Sequence, residues 1–372
     1  MLNNNALIVA ATPVFFLLIG VEVWVARRRR LQTYQLADSL ASMGCGVWTV
    51  TLEVFIKGAL LVLYAWIAGR YALAHLDVGA WLNWLLFFFV LDFLYYWAHR
   101  WSHEINFLWG VHSPHHQSEE FNLTTALRQG AFQDAFQMPI FLPMAILGCP
   151  VEMFITLLTF NKFYQFWIHT RMIGKVPLIE GILNTPSAHR VHHAVNDVYL
   201  DRNYGGTLMV WDKLFGTWVD ENEACVYGVR NPFRSWNAVW AQFEWFSCLW
   251  HDAVRAKNPL DRLTIWFRRT GWRPADVALN EPQPPFVLAD MTRFTATRGK
   301  AWAGVAVALF VLIAILNNVL LKQAAVFPLT VKFLLAAGIT LLLIAIAWAL
   351  QAQSVQPAEQ EIETPESLMQ EQ

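Results

Sequence analysis

Long apolar runs alternate with short polar segments along most of this chain. The first run, residues 6–26, is long enough for a spanning helix and ends at four consecutive arginines, 27–30. Four later runs have a similar length and cover residues 46–69, 76–98, 303–321 and 326–349. This pattern predicts an all-α, polytopic bundle of membrane-spanning helices.

Two further apolar runs, residues 132–148 and 151–167, are at the short limit for a span. Pro139 and Pro143 interrupt the first of them. We therefore expect a helical hairpin that does not cross the bilayer completely. Residues 169–300 are far more polar and contain no spanning run, which predicts a compact water-facing part.

The composition agrees with a membrane location. Of the 372 residues, 56% are hydrophobic and only 15% are charged, whereas soluble domains carry about 25% charged residues. The net charge of -1 gives no reason to expect a nucleic-acid partner. The four cysteines form no CxxC pair, so they indicate neither a disulfide framework nor a thiolate metal site.

The arginines at 27–30 place that end of the first helix in the cytoplasm by the positive-inside rule. The next two runs then go out and back, so the polar part and the C-terminus are expected on the cytoplasmic side. Within the second run, Glu53 and Lys57 are four residues apart and can pair on one helix face.

Four segments follow from this layout. Residues 1–78 are expected to be N-terminal transmembrane helices and residues 79–250 a catalytic domain. Residues 251–350 are expected to form a cytosolic segment and a C-terminal transmembrane pair. Residues 351–372 are an acidic tail without apolar periodicity, which predicts disorder.

Eight of the eleven histidines fall into three five-residue windows, at 99–103, 112–116 and 189–193. Neutral imidazole is the commonest side-chain metal ligand. Solvated histidine clusters or structural zinc are the simpler alternatives, but a structural zinc site takes four ligands and is usually rich in cysteine. So many imidazoles predict two metal ions, and zinc, copper, iron and nickel all suit such ligands.

Local spacing suggests how the windows are built. His99 and His103 lie on one face if the third helix continues past the lipid. Asp92 lies two turns deeper on that face, where it can accept the second N–H of a ligand histidine or pair with Lys57 or another partner in the bundle. In the second window, Ser113-Pro114 resembles a helix start, so His112 would precede a new helix that begins with His115 and His116.

In the third window, Thr185-Pro186 gives the same start signal. His189, His192 and His193 then share one helix face. Asn161, Gln165 and His169 are spaced by four in an apolar segment, which makes His169 a candidate ninth ligand. His75 and His251 have no such neighbours and are expected to be structural.

These motifs resemble the fatty acid hydroxylase and sterol desaturase superfamily of membrane di-iron oxygenases, and within it most closely the alkylglycerol monooxygenase family. The similarity covers roughly residues 80–220. Its motifs lie at residues 92–106, 112–129, 165–170, 185–193, 203–206 and 211–218.

The resemblance implies two iron ions and the O2-dependent oxidation of a C–H bond in a lipid that enters from the bilayer. It also implies tetrahydrobiopterin as the electron source, although no sequence feature shows a pterin site. Glu104 matches a family glutamate and is either an acid/base group beside the metals or a solvated helix acid.

Three alternatives differ in how well the sequence fits them. A sterol or fatty-acyl desaturase or hydroxylase would need an external electron-transfer partner. A metal transporter would place its ligands along a path near the middle of the membrane, whereas these windows gather at one surface. An intramembrane metalloprotease needs HExxH, and Phe107 stands where His103-Glu104 would require the second histidine.

Overall fold

The computed structural model describes residues 4–296 and 298–351, with the side chains of residues 4–10 left aside. Within these residues every regular element is a helix, and β-structure is limited to isolated bridges. The α-helices in chain order are α1 Asn4–Arg28, α2 Leu36–Tyr71, α3 Trp81–Glu104, α4 Asn106–His116, α5 Gln133–Ile146, α6 Val151–Trp167, α7 Pro186–His193, α8 Val210–Phe215, α9 Glu244–Arg255, α10 Pro259–Thr264, α11 Ala275–Asn280, α12 Lys300–Gln323 and α13 Leu329–Leu350. The all-α prediction is confirmed.

Four helices in the described part of the chain are long and apolar enough to cross a bilayer: α2, α3, α12 and α13. The predicted first span at 6–26 coincides with α1, but it rests partly on residues 4–10, whose side chains lie outside the description. The disordered tail expected at 351–372 also falls outside the described residues, which end at residue 351.

The second spanning helix begins ten residues before the apolar run that predicted it. At 36 residues, α2 is about 54 Å long and exceeds the roughly 30 Å of a hydrocarbon core. The added N-terminal part is buried in protein, where Ser118 Oγ donates to Asp38 Oδ1 at 2.6 Å. This helix therefore connects the bundle to the polar part.

The third helix continues past its apolar run to Glu104, so His99 and His103 do lie on its final turns. The chain reverses at Ile105, and α4 packs back against α3. The expectation of a new helix at Ser113-Pro114 is wrong, because Pro114 lies inside the last turn of α4. A proline this close to the C-terminus removes only one intrahelical hydrogen bond, and packing against α3 outweighs the local start signal.

The predicted short hairpin is present as α5 and α6. With 14 and 17 residues, both helices are shorter than the about 20 residues that a full span needs. They are joined at Gly148, whose φ of +94° is accessible mainly to glycine. Both pack against α2 and α3 and form the wall of the bundle beneath the histidines.

Gly130 lies where the chain between α4 and α5 passes close to another backbone. A Cβ at this position would meet the carbonyl oxygen of Val111 at 1.8 Å, and Val111 directly precedes His112. We expect Gly130→Ala to destabilise the protein by about 1–3 kcal/mol, because backbone rather than a flexible side chain must move.

The measurement is the thermal unfolding midpoint in detergent, with Gly174→Ala as the matched control, since nothing lies within 4 Å of a Cβ there. Equal midpoints for the two variants would contradict the close approach at Gly130.

Candidate metal centre

The nine histidines selected from the sequence converge at one place, where the ends of α3, α4 and α6 meet α7. They form two adjacent groups, and within each group the candidate ligand nitrogens lie within 4.8 Å of one another. Group A contains His99, His103, His112, His116 and His192, and group B contains His115, His169, His189 and His193. His75 and His251 belong to neither group.

Neighbouring residues in sequence connect the two groups. On α4, His115 belongs to group B and His116 to group A, and on α7 the pair His192 and His193 divides in the same way. The rings of His116 and His193 stack with their centroids 4.3 Å apart. Because successive helix positions point about 100° apart, two short helices can supply ligands to two separate centres.

The third window forms as the sequence predicts. Thr185 is the N-cap of α7, its hydroxyl accepts from the Ala188 amide, and Pro186 occupies the first helical position. The helix has only eight residues and all of them are buried. Its rigid start determines the direction in which its three histidines point.

Backbone carbonyls orient several of the rings through their second nitrogen. The Nδ1 atoms of four histidines donate to carbonyl oxygens at 2.7–3.0 Å: His99 to Tyr204, His115 to Arg128, His169 to Gln165 and His192 to Arg202. His112 Nδ1 donates to the side-chain oxygen of Gln133 at 2.8 Å. Each of these bonds selects the tautomer that leaves Nε2 free as a ligand.

Two of these carbonyls come from one loop with an unusual backbone. Asp201 and Asn203 have φ values of 58° and 56°, which non-glycine residues adopt rarely. The left-handed backbone at these two positions directs the carbonyl of Arg202 to His192 and the carbonyl of Tyr204 to His99. Asn203 stabilises this path by donating to the carbonyls of Ala188 and Val219. Strain of this kind concentrates at functional sites.

The ring nitrogens that face inward are close enough together to share a cation. His99 and His112 both donate through Nδ1, yet their Nε2 atoms are only 3.1 Å apart. The Nε2 atoms of His115 and His169 are likewise 3.3 Å apart. Two nitrogens bound to one ion at about 2.1 Å are about 3.0 Å apart when the bonds meet at a right angle. Facing lone pairs at this distance fit a shared metal ion and repel without one.

Further buried nitrogens in the same region lack hydrogen-bond partners among the described residues. They are His103 Nε2, His189 Nδ1, His192 Nε2 and His193 Nε2. Buried polar atoms are nearly always satisfied by a protein group, a water or an ion. A donor set made only of imidazoles suits iron, zinc, copper or nickel, so the residues present fit two such ions.

Burial keeps the rings outside the spanning helices neutral. It lowers the pKa of His112 to about 3 and that of His169 to about 4. Burial, together with neighbouring rings, also holds the pKa of the others well below the usual value: His115, His116, His189, His192 and His193. Metal ligands must be deprotonated, and these rings meet that condition at neutral pH.

Of the two alternatives for Asp92, a direct contact with a ligand histidine is not found, and its partners lie elsewhere in the protein. Its buried carboxylate accepts from the amides of Thr207 at 2.9 Å and Leu208 at 3.1 Å, and from the indole of Trp211 at 2.9 Å. Asp92 therefore anchors the segment that follows Tyr204, and it acts on His99 only through that segment.

A second acid, Asp212, supports the same loop from the other side. Its carboxylate accepts from the amides of Tyr204 and Gly205, both at 2.7 Å, and from the hydroxyl of Thr217. Burial raises the pKa of Asp212 to about 6. Sequence reasoning did not single out Asp212, Gln133 or the Tyr204 carbonyl, because their partners are distant in sequence or are backbone atoms.

The contacts of Glu104 give no support to an acid/base role beside the metal ions. Its carboxylate accepts from Arg100 Nε at 3.0 Å, one turn earlier on α3, and lies 3.9 Å from Arg269. Neither partner is a histidine. These contacts favour the second of the two interpretations of Glu104, that it is a solvated helix acid.

A cavity of about 370 Å³ leads from the histidines into the bundle. His112, His115 and His169 form part of its wall, and the rest of its lining is mostly apolar. Phe15 of α1, Leu60 of α2 and Phe154 of α6 lie along it. A chain of hydrocarbon width can therefore reach the candidate metal ions from the membrane part of the protein.

The fold and this site define an integral membrane protein with a histidine-rich centre suited to two metal ions. Residues 84–217 match the fatty acid hydroxylase family. The chain is 37% identical to the alkylglycerol monooxygenase of Xenopus tropicalis over 273 residues, 73% of this chain and 61% of that protein.

The human alkylglycerol monooxygenase is also 37% identical, over 71% of this chain and 59% of the relative. The protein of the same name from Danio rerio is 32% identical over 92% of this chain and 77% of the relative. The chain thus spans about three fifths of the frog and human proteins. The comparison with solved structures gives no match. The chain belongs to the fatty acid hydroxylase family, in the group that includes the alkylglycerol monooxygenases.

Proposed function

We propose that this protein is a membrane-bound di-iron monooxygenase that oxidises ether lipids of the alkylglycerol type. The observation that carries the proposal is the convergence of nine buried imidazoles in two adjacent groups at the end of an apolar cavity. The names and similarity of the relatives support the substrate class. The proposed catalytic unit is residues 79–250.

In this proposal group A holds one iron and group B holds the other. When bound, the two irons supply the activation of O2 that oxidation of an unactivated C–H bond requires. The protein's own contribution is to orient five of the nine rings, four through backbone carbonyls and His112 through Gln133, so that Nε2 is free as a ligand. Burial of the rings also keeps bulk water away from the reacting carbon.

The cavity positions the lipid so that one carbon lies beside His112, His115 and His169. In an ether lipid that carbon adjoins the ether oxygen. One oxygen atom enters the C–H bond, and the other leaves as water after it takes up two electrons from a donor and two protons. The resulting hemiacetal breaks its C–O bond to the ether oxygen, and an aldehyde and the free glycerol hydroxyl are formed.

The donor and the orientation are further parts of the proposal. Tetrahydrobiopterin supplies the electrons in our preferred version, and an external electron-transfer protein does so in the alternative. The arginines at 27–30 favour a cytoplasmic location for the histidines, with O2 and the donor arriving from that side.

The test begins with protein purified in mild detergent, its metal content, and its turnover of 1-O-hexadecylglycerol with O2 and tetrahydrobiopterin. We expect about two irons per chain and the release of hexadecanal and glycerol. A sterol and a fatty-acyl lipid serve as comparison substrates. Zinc in place of iron would overturn the di-iron proposal, and oxygen-dependent turnover of the sterol alone would favour the desaturase alternative.

A further inference from the structure

Four charged side chains meet inside the apolar cavity, apart from the histidines. Glu53 and Lys57 come from α2, Asp134 from α5 and Lys162 from α6, and all four line the cavity. The sequence predicts only the pairing of Glu53 with Lys57, which the structure confirms with an Nζ to Oε2 distance of 3.1 Å. The other pair joins two helices that are separated in sequence.

Contacts between the two pairs make them one cluster. Lys162 Nζ lies 2.8 and 2.6 Å from the two carboxylate oxygens of Asp134. The Asp134 carboxyl is also within interaction distance of Glu53 and Lys57. Two ammonium groups and two carboxylates cancel, so the cluster carries no net charge.

A structural role alone does not explain how accessible this cluster is. Ionisable groups inside a membrane usually pair and are expensive to expose to lipid. Here 44% of the Lys162 side chain, 29% of Asp134 and 24% of Lys57 remain accessible. An ammonium has three N–H donors, and the described bonds of Lys57 use one. The other N–H donors of Lys57 are available to a polar group that enters the cavity.

The cluster lies at a fixed spacing from the candidate metal centre. Lys162 precedes His169 by seven residues along α6 and its C-terminal turn, which corresponds to about 10 Å. Asp134 directly follows Gln133, whose side chain contacts His112. A lipid whose reacting carbon lies at the histidines can therefore place groups a few bonds away at the cluster.

Two other polar side chains along the cavity are already used by the protein. Gln137 donates to Ser102, and Gln165 bonds to Tyr95 and Asn161. A hydroxyl that enters an apolar cavity without a hydrogen-bond partner loses its hydration without compensation. The charged cluster is placed to provide such partners.

Resting on the proposed function, we propose that Glu53, Lys57, Asp134 and Lys162 form a subsite for the hydroxyl-bearing head of the lipid. The ammonium groups donate to the head's hydroxyl oxygens, and the carboxylates accept from its O–H groups. The subsite selects uncharged lipids that carry free hydroxyls within a few bonds of the reacting carbon. Plain ethers and acyl chains lack those groups.

The first test uses the wild-type protein and two substrates. Hexadecyl propyl ether has the carbon skeleton of 1-O-hexadecylglycerol but neither hydroxyl. A hydrogen bond to a charged group contributes about 1.5–3 kcal/mol, so we expect kcat/KM to be at least about tenfold lower for the propyl ether. Equal kcat/KM values for the two ethers would overturn the subsite.

The second test removes charges from the cluster. Lys162→Met should raise KM for 1-O-hexadecylglycerol about tenfold, with little change in kcat, in iron content or in turnover of the propyl ether. Because this change leaves Asp134 unpaired, the double variant Asp134→Asn/Lys162→Met removes both charges and keeps the cluster neutral. Arg255→Gln is the matched control, since its ion pair with Glu281 is exposed and outside the cavity.

Equal losses for both substrates in these variants would overturn the subsite and leave a structural role. Direct binding of tritiated 1-O-hexadecylglycerol to the purified protein separates this inference from the proposed function. Tenfold weaker binding by the double variant supports the subsite even if the lipid is not oxidised, whereas equal binding overturns it. Binding without oxidation by the wild type would count against the proposed function instead.

Discussion

His115→Ala is expected to abolish lipid oxidation and to remove about one of two bound irons per chain. Group B contains only four histidines, so this change leaves its ion with three protein ligands. His192→Ala removes one of the five rings in group A and should lose less iron. Loss of supporting groups alone costs about 10–100-fold in metal affinity, and loss of a ligand should cost more. Metal analysis and turnover of the same preparations measure both effects.

His251→Ala is the matched control for these variants. Its ring lies on α9, contacts Asp252 and is 43% exposed, and it belongs to neither group. It should retain full iron content and turnover. Two irons and unchanged turnover in His115→Ala would contradict the assignment of group B. Equal iron loss in both ligand variants would contradict the division of the histidines into a group of five and a group of four.

The convergence of the candidate ligands could be predicted from the sequence because helical spacing is a local property. His99 and His103 share a face of α3, and the cap at Thr185 presents the three histidines of α7. His169 could also be selected, since Asn161 and Gln165 precede it at intervals of one turn. Gln165 does bond to both Asn161 and the His169 ring.

Where local signals competed with packing, the sequence was misleading. Ser113-Pro114 has the composition of a helix start, yet α4 runs through both residues. The hydropathy pattern places the start of α2 too late because residues 36–45 contain polar side chains. Asp38 among them is buried by contacts with the segment after α4 rather than by lipid. Hydropathy alone cannot distinguish a helix end in water from one inside a protein.

The supporting groups around the rings depend on tertiary structure. The carbonyls of Tyr204 and Arg202 reach their rings only because the backbone is left-handed at Asp201 and Asn203. No residue-type pattern specifies a carbonyl direction. The charged cluster in the cavity also depends on tertiary structure, because Asp134 and Lys162 are 28 residues apart and meet only when α5 packs beside α6.

Asp92 is the supporting residue whose loss should have the largest effect. Asp92→Ala leaves the amides of Thr207 and Leu208 and the Trp211 indole without their acceptor in a buried location. Each buried donor left unsatisfied costs about 1–3 kcal/mol. The segment from Tyr204 to Trp211 should then shift, and the Tyr204 carbonyl should no longer hold His99 Nδ1.

We therefore expect Asp92→Ala to weaken iron binding at group A about 10–100-fold and to lower turnover by a similar factor, while group B keeps its ion. Iron affinity measured by chelator competition distinguishes the two groups. Asp77→Ala is the control, because the side chain of this exposed aspartate accepts from the Gly79 amide in the turn before α3, far from the histidines in sequence. If Asp92→Ala lost thermal stability but bound both irons as tightly as the wild type, Asp92 would stabilise the fold without positioning His99. A selective loss at group A would instead show that a carboxylate in contact with no histidine determines how firmly one metal ion is held.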